Sequence, residues 1–143
     1  MNEETINFYS ENQFELSDEK RFSDWLKNVI LSEEKKTGEI SFIFCDDDYL
    51  LEINQKYLNH DTYTDIITFD NCIGNILQGD IFISTERIAE NAETYMVDFE
   101  EELKRVMAHG ILHLAGFADK TEDEKAEMRR KEEEKMKMFH VEQ

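Results

Sequence analysis

Proline is absent from the 143-residue sequence, and the chain has only five glycines and two cysteines. Without proline, low-complexity linkers or internal repeats, the sequence indicates one compact domain over residues 1–143, a length that suits a single core. No apolar run approaches the roughly 18 residues that cross a membrane. The first residues are acidic and lack the basic start and apolar middle of a signal peptide, so we expect a cytoplasmic protein.

The two cysteines, Cys45 and Cys72, form no CxxC pattern. Disulfides are rare in cytosolic proteins, so a bridge between them is not expected. We predict two buried free thiols, in preference to a pair of metal ligands.

Basic residues are also scarce, since 16 Lys and Arg stand against 34 Asp and Glu, a net charge of −18. A nucleic-acid binder usually shows a basic surface, because phosphate neutralisation drives its affinity. The imbalance is uneven: residues 120–143 carry 7 basic against 8 acidic side chains. The composition therefore argues against tight unaided binding to bare RNA, but it allows a local basic groove.

Hydrophobic periodicity predicts four strands among five helices, arranged as an α+β sandwich with a mixed sheet. We expect strands at 6–16 (an edge strand), 39–45, 64–70 and 79–84, with a hairpin connection over 71–78. We expect helices at about 18–36, 48–58, 85–95, 98–115 and 121–139. Gly38 is expected to end the first helix, and Thr121 with Glu124 to form a capping box on the last.

The segment HGILHLAGFAD at 109–119 carries the most chemical information. His109 and His113 are four residues apart on a predicted helix, so their imidazoles lie one turn apart on one face. Both can then reach one ion at about 2.0–2.1 Å. Gly116 ends the helix and lets the chain return, so Asp119 is available as a third ligand. The segment predicts a metal site at the end of a long helix, although histidines at the flank of an apolar stripe also serve as half-buried hydrogen-bonding residues.

The spacing matches the zinc motif of metzincin proteases, with aspartate in place of the third histidine. Those proteases carry a glutamate general base directly after the first histidine, where this chain has Gly110. Protease chemistry by that mechanism is therefore excluded. An open fourth position suits one catalytic zinc ion per chain, whereas a carboxylate ligand also suits iron, manganese or nickel. Each would lower the pKa of water and polarise a carbonyl or phosphoryl oxygen.

Residues 109–119 resemble the signature of the YbeY family, H-G-x-L-H-L-x-G-[YF]-D-H, a family of bacterial endoribonucleases. Two upstream blocks, residues 51–69 and the GDIFIS strand at 79–84, are similar to the family as well. The resemblance implies a metal-dependent, single-strand-specific endoribonuclease that acts in maturation of the 16S ribosomal RNA 3′ end and in ribosome quality control. It also implies, as partners, the small ribosomal subunit, one of its proteins and an assembly GTPase.

The chain departs from the family pattern at two positions. The family's third ligand is a histidine where this chain has Asp119, and the family has an arginine, linked to the RNA chemistry, where this chain has Leu58. Arg105 lies one helical turn before the first predicted ligand and is a candidate to contact a phosphate instead. The alternative for Arg105 is an exposed salt bridge with Glu101 or Glu102.

Other residues near the predicted site have roles that the sequence leaves open. Lys120 is either a substrate contact or a solvated loop lysine, and His60 either lines the cleft or has a structural role at a helix end. Thr64 and Asp65 are expected to position the strand and the cleft. The charged run at 131–135 is expected to be a solvated helix face.

Two further functions compete with the endoribonuclease at this point. A non-catalytic ribosome-assembly factor would hold a structural metal whose fourth position is closed by protein. A hydrolase of small esters or amides would have an apolar pocket beside the metal and no basic rim. For a ribosome-associated protein, the net negative charge would suit docking on a basic ribosomal protein.

Overall fold

The computed structural model describes residues 5–59 and 63–140, and it contains four strands and five helices in these ranges. The strands are β1 (Thr5–Ser10), β2 (Lys36–Cys45), β3 (Ile66–Asp70) and β4 (Ile76–Ser84). The helices are α1 (Glu19–Ser32), α2 (Asp47–Leu58), α3 (Thr85–Tyr95), α4 (Phe99–Leu114) and α5 (Glu122–Lys137), followed by a 3₁₀ turn. The predicted α+β class is confirmed. No helix in the described part of the chain is both long and apolar enough to cross a membrane.

The sheet is mixed, with the order β1-β2-β4-β3. β1 and β2 are parallel, β2 and β4 are parallel, and β3 runs antiparallel to β4. β1 is an edge strand as predicted, but it ends at Ser10 and does not extend to residue 16. The strand stops there because the chain turns at Asn12, whose side-chain oxygen accepts a hydrogen bond from the Phe14 backbone N–H at 3.0 Å, a local bond that replaces strand pairing.

Helices cover both faces of the sheet. On one face α1 and α4 bury the larger core, whose central side chains are fully inaccessible to solvent: Trp25, Leu26, Phe42, Ile81, Met107 and Ile111. On the other face α2 buries a smaller cluster of Cys45, Leu50 and Ile67. Successive residues of β3, Ile66 and Ile67, pack into different clusters, because side chains alternate across a strand. The apolar periodicity of the sequence thus fixes the faces on which the helices pack.

The first helix is shorter than its sequence predicts. α1 ends at Ser32, and the turn that follows places Glu34 in the left-handed region at φ 60°. The expectation that Gly38 ends this helix is wrong, since Gly38 lies inside β2. A Cβ atom at Gly38 would lie 2.6 Å from the Gln78 Cγ. The glycine is therefore required by close packing within the sheet, a tertiary reason that a local pattern does not reveal.

Two other predicted helix ends are confirmed. The Thr121 hydroxyl accepts a hydrogen bond from the Glu124 backbone N–H at 3.1 Å, and the Glu124 carboxylate accepts one from the Thr121 N–H at 3.0 Å. This capping box starts α5. At the other end of the α4–α5 connection, Gly116 has a φ of 109° and lets the chain turn away after α4.

Both cysteines are free thiols, in agreement with the prediction, but only Cys45 is fully buried, whereas Cys72 is half-buried. Burial, together with the neighbouring carboxylate of Asp46, raises the pKa of Cys45 to about 12. The thiol of Cys45 is therefore protonated at neutral pH and acts as a small apolar core residue.

α5 is held against α1 by a buried ionic cluster. The Glu33 Oε2 lies 2.5 Å from the Lys131 Nζ and 2.7 Å from the Lys135 Nζ, at ion-pair distance but off the line of a hydrogen bond. Burial works against the ionised form, but the two ammonium groups outweigh it and lower the pKa of Glu33. The indole N–H of Trp25 also donates to the Lys135 carbonyl at 2.8 Å. These contacts fix the position of α5.

Replacing Glu33 with glutamine should destabilise the fold by about 3 kcal/mol, because two largely buried ammonium groups lose their buried counter-charge and keep only the more exposed Glu134 as an anionic partner,. The folded-state pKa of Glu33 is lowered, so its contribution is present above the ordinary carboxyl pKa and is lost as the pH falls through the folded-state value. Urea unfolding at pH 7 and at acid pH should therefore show a smaller difference between Glu33→Gln and wild type at acid pH. The exposed neighbour provides the control, and Glu34→Gln should unfold like wild type; equal stability of the two variants at pH 7 would contradict the role of the cluster.

Candidate functional site

One face of α4 lines an open cleft of about 590 Å³. The face consists of Glu102, Arg105, Val106, His109 and His113, which follow one another at helical spacing,. The other walls come from residues 64–68, from the ends of α2 and α3, from Asp119, and from Arg129 and Glu132 of α5. The three predicted metal ligands therefore share one cleft.

Gly110 sets the depth at which α4 lies on the sheet. A Cβ atom there would meet the side chains of Ile66 and Ile81 at 3.1–3.2 Å, closer than ordinary packing allows. Glycine lets the helix approach β3 and β4, and this approach brings His109 next to the cleft wall. The residue that excludes metzincin chemistry thus has a packing role in this fold.

His109 lies between two carboxylates. Its Nδ1 is 2.8 Å from the Glu132 Oε2, and its Nε2 is 3.3 Å from the Asp119 Oδ2. Both carboxylates only accept hydrogen bonds, so the shorter contact assigns the proton of the neutral ring to Nδ1 and leaves a lone pair on Nε2 facing Asp119, whereas in the charged ring both nitrogens donate. Two lone-pair donors that bind one tetrahedral ion with bonds of about 2.0–2.1 Å lie about 3.3 Å apart. The spacing of His109 and Asp119 fits two ligands of one such ion.

The Glu132 carboxylate also controls the protonation of His109. Burial of the ring opposes its charged form, but the hydrogen bond and the negative charge of Glu132, aided by Asp119, raise the pKa of His109. A positive charge at Nε2, whether a proton or a metal ion, is therefore favoured by its surroundings. A histidine with a carboxylate on its second nitrogen is also the usual arrangement behind a metal ligand.

His113 is exposed and lines the same cleft, with its ring centroid 6.0 Å from that of His109 and the ring planes at 36°. Two imidazoles on one tetrahedral ion have centroids about 5 Å apart, so a shift of the His113 ring by about 1 Å would satisfy this geometry. Within residues 5–59 and 63–140, no three of the His, Cys, Asp and Glu side chains already converge on one ion position. The donor types and the His109–Asp119 pair fit a metal, and His113 is the side chain that has to adjust.

Arg105 forms a salt bridge with a residue of α5 and not with an acidic residue one turn away on its own helix. Its guanidinium lies 3.2 Å from the Glu132 Oε1, so the expected exposed salt bridge with Glu101 or Glu102 is wrong. The reason is that α5 packs beside this face of α4 and brings a buried carboxylate closer than the residues one turn away. Glu132 consequently uses one oxygen for His109 and the other for Arg105.

The prediction that residues 131–135 form a solvated face holds for Glu133 and Glu134, which are exposed, but is wrong for Glu132 and Lys135. Glu132 is 6% exposed and Lys135 is 3% exposed, and both fall on the buried stripe that joins Met128 to Phe139. The steps from Met128 to Glu132, Lys135 and Phe139 are four, three and four residues, which is the spacing of one helix face. Sequence reasoning missed Glu132 because its charge concealed this periodicity.

The remaining sequence candidates are divided between the cleft and its surroundings. Thr64 and Asp65 line the cleft, and the Asp65 carbonyl accepts a hydrogen bond from the Ser84 N–H at 3.0 Å, which ties this segment to β4. Leu58 lines the cleft as well, whereas Lys120 is exposed and is not among the lining residues. His60 lies outside the described residues.

Comparison with known proteins links this arrangement to one family. Residues 5–140 match the family described as Endoribonuclease YbeY. The chain is 63% identical to the Endoribonuclease YbeY of Christiangramia forsetii, over 96% of both chains, and 59% identical to that of Flavobacterium johnsoniae, over 96% of this chain and 99% of the relative. A solution structure of a protein from Thermotoga maritima is similar, with a TM-score of 0.64 and 26% identity over 96% of this chain and 91% of that chain.

Replacing Glu132 with glutamine should lower the pKa of His109, because the variant keeps a hydrogen-bond acceptor but removes the negative charge. The measurement is an NMR titration of the His109 imidazole in the presence of EDTA, so that only protons compete for Nε2. Glu133→Gln alters an exposed neighbour on the same helix and should leave the His109 titration unchanged. An unchanged His109 pKa in Glu132→Gln would show that the two side chains are not coupled.

Proposed function

Because this chain belongs to the YbeY family of endoribonucleases, we propose that it cleaves single-stranded RNA with a divalent metal ion held by His109, His113 and Asp119. Zinc, one ion per chain, is the first candidate, since two imidazoles and a carboxylate with an open position suit a catalytic zinc site. The same donors also suit iron, manganese or nickel. The observation that carries the proposal is the opposition of the His109 Nε2 and the Asp119 Oδ2 across 3.3 Å in an open cleft.

The residues of the cleft would have different roles in RNA hydrolysis. A divalent ion in this position supplies a Lewis acid that polarises a phosphoryl oxygen and lowers the pKa of water. Glu132 fixes the ring of His109 so that Nε2 faces the cleft. Arg105 and Arg129 line the same cleft, and they are the cations available to meet the charge of the phosphodiester,. We assign this role to them because Leu58 stands where the family pattern has an arginine.

The competing functions fit the cleft less well. A structural metal in an assembly factor would be enclosed by protein, whereas His113 is exposed and the cleft is open. A hydrolase of small neutral esters needs no cationic rim, whereas Arg105 and Arg129 line this cleft. The absence of the family's arginine is the observation that favours a non-catalytic role, and cleavage assays decide between the two.

Removal of a proposed ligand should abolish both metal retention and RNA cleavage. After dialysis, wild type should keep about one zinc ion per chain, whereas His113→Ala and Asp119→Ala should keep almost none, because each loses one of three protein ligands. Asp119→His, which restores the donor of the family pattern, should retain the metal. Metal content is measured by elemental analysis, and cleavage is followed on a labelled single-stranded RNA.

Asp123→Asn, in the exposed first turn of α5, is the matched control for these measurements and should behave as wild type. Full metal occupancy in His113→Ala would remove that residue from the proposed ligands. A fully loaded wild-type protein that cleaves no single-stranded RNA would refute the catalytic function and leave the assembly factor.

We also propose that the substrate in the cell is the 3′ end of 16S ribosomal RNA, in rRNA maturation and ribosome quality control. The proposed partners are the small ribosomal subunit, one of its proteins and an assembly GTPase, and the proposed compartment is the cytoplasm. The net charge of −18 supports docking on a basic ribosomal protein, because bare RNA repels such a chain,. Affinity for purified small subunits should therefore fall as salt is added, and an affinity that salt leaves unchanged would contradict this docking mode.

A further inference from the structure

The cleft extends well beyond the proposed metal site. Along α4 it runs from His113 and His109 to Glu102, which is seven residues before His109. Seven residues correspond to about 10 Å along a helix axis, with both side chains on nearly the same face. A substrate phosphate at the histidines would therefore leave room in the same cleft for a neighbouring part of the strand.

The C-terminal ends of two helices also line the cleft. Leu58 comes from α2, and Asn91 and Tyr95, one turn apart, come from α3. Only residues 96–98 separate Tyr95 from α4, whose first turns carry Glu102. The side chains of Leu58 and Tyr95 remain accessible, since the two residues are 42% and 54% exposed. An accessible aromatic ring and an accessible aliphatic side chain in one cleft offer contact to a flat apolar ligand.

Near the start of α4, Glu102 supplies a carboxylate that has no hydrogen-bond partner among the described residues. Glu102 is 4% exposed and lines the cleft, yet its carboxylate makes no hydrogen bond or ion pair with any other described residue. Burial raises the pKa of Glu102, although Arg105 partly offsets this effect. The Glu102 oxygens are not among the buried atoms that lack a partner, so they reach the open cleft, where they can accept hydrogen bonds from a ligand. Glu132, by contrast, uses both of its oxygens within the protein.

We propose that this end of the cleft binds one unstacked nucleobase of the RNA strand, stacked on Tyr95 and held by hydrogen bonds from its N–H groups to Glu102. The inference rests on the proposed function and deepens it by naming a substrate contact. Single strands offer such a base, because their bases can be splayed out and stacked on aromatic side chains, whereas bases in a duplex are already paired and stacked. Guanine fits the acceptor best, since its Watson–Crick edge presents adjacent N–H donors to one carboxylate.

The test measures binding and not cleavage. The full-length chain is kept in EDTA, and its binding to labelled probes is followed by fluorescence anisotropy. The probes are a short oligouridine, the same strand with one central guanosine, and an abasic strand of equal length. Tyr95→Ala should weaken binding of the oligouridine about tenfold, the usual effect of losing one stacked base, and should leave the abasic strand unaffected. Tyr95→Phe keeps the ring and should bind like wild type. Glu102→Gln should lose the preference for the guanosine strand.

Tyr9→Ala is the matched control, because Tyr9 is 53% exposed, close to the 54% of Tyr95, but lies on the edge strand β1. Unchanged binding in this control, together with the loss in Tyr95→Ala, supports the subsite. If wild type binds and, with metal, cleaves single-stranded RNA while Tyr95→Ala binds equally well, the subsite is wrong and the proposed function stands. If wild type binds no single-stranded probe and, with metal, cleaves none, both the subsite and the proposed function are wrong.

Discussion

The Glu132 carboxylate is the group on which the architecture of the site depends. It is almost fully buried, and its two oxygens hold His109 and Arg105 on the facing helix. A buried carboxylate is tolerated only when charge and hydrogen bonds satisfy it, and removing one partner leaves an uncompensated charge. The orientation of the imidazole, the position of the guanidinium and the packing of α5 on α4 are therefore set together. α5 can supply this carboxylate because the Glu33 cluster holds the same helix against α1.

The charge of the cleft affects how strongly it binds each of its ligands. Four carboxylates line it, Asp65, Glu102, Asp119 and Glu132, against two guanidinium groups, Arg105 and Arg129. One of these guanidinium groups is already paired with Glu132. Such a site attracts cations and repels a phosphodiester. Under the proposed function, metal binding should thus strengthen RNA binding, because the ion adds positive charge to an anionic surface and can accept a phosphate oxygen.

The parts of the structure that sequence predicted well are those that depend on short segments. The helix, the glycine turn and the aspartate at 109–119 are encoded within eleven residues, and the capping box at Thr121 within four. Glu132 lies 23 residues from His109, and its role follows only when α5 is docked. The pairing of Arg105 and the place of Gly38 within β2 depend on tertiary contacts in the same way. A buried stripe that contains charged residues, as in α5, has helical spacing in the sequence, but hydrophobicity alone does not detect it.

The two departures from the family pattern change the electrostatics of the site in the same direction. With aspartate in place of a neutral histidine, a divalent ion and its three ligands carry a net charge of about +1 instead of about +2. Leucine in place of arginine removes a further positive charge from the cleft wall. Compensation for a phosphodiester is left to Arg105, which Glu132 restrains, and to Arg129, which forms no ion pair within the described part of the chain. Direct attraction of phosphates is thereby reduced. Under the proposed function, recognition would then rely more on contacts with bases and on the proposed ribosomal partner, in line with the strongly acidic composition of the chain.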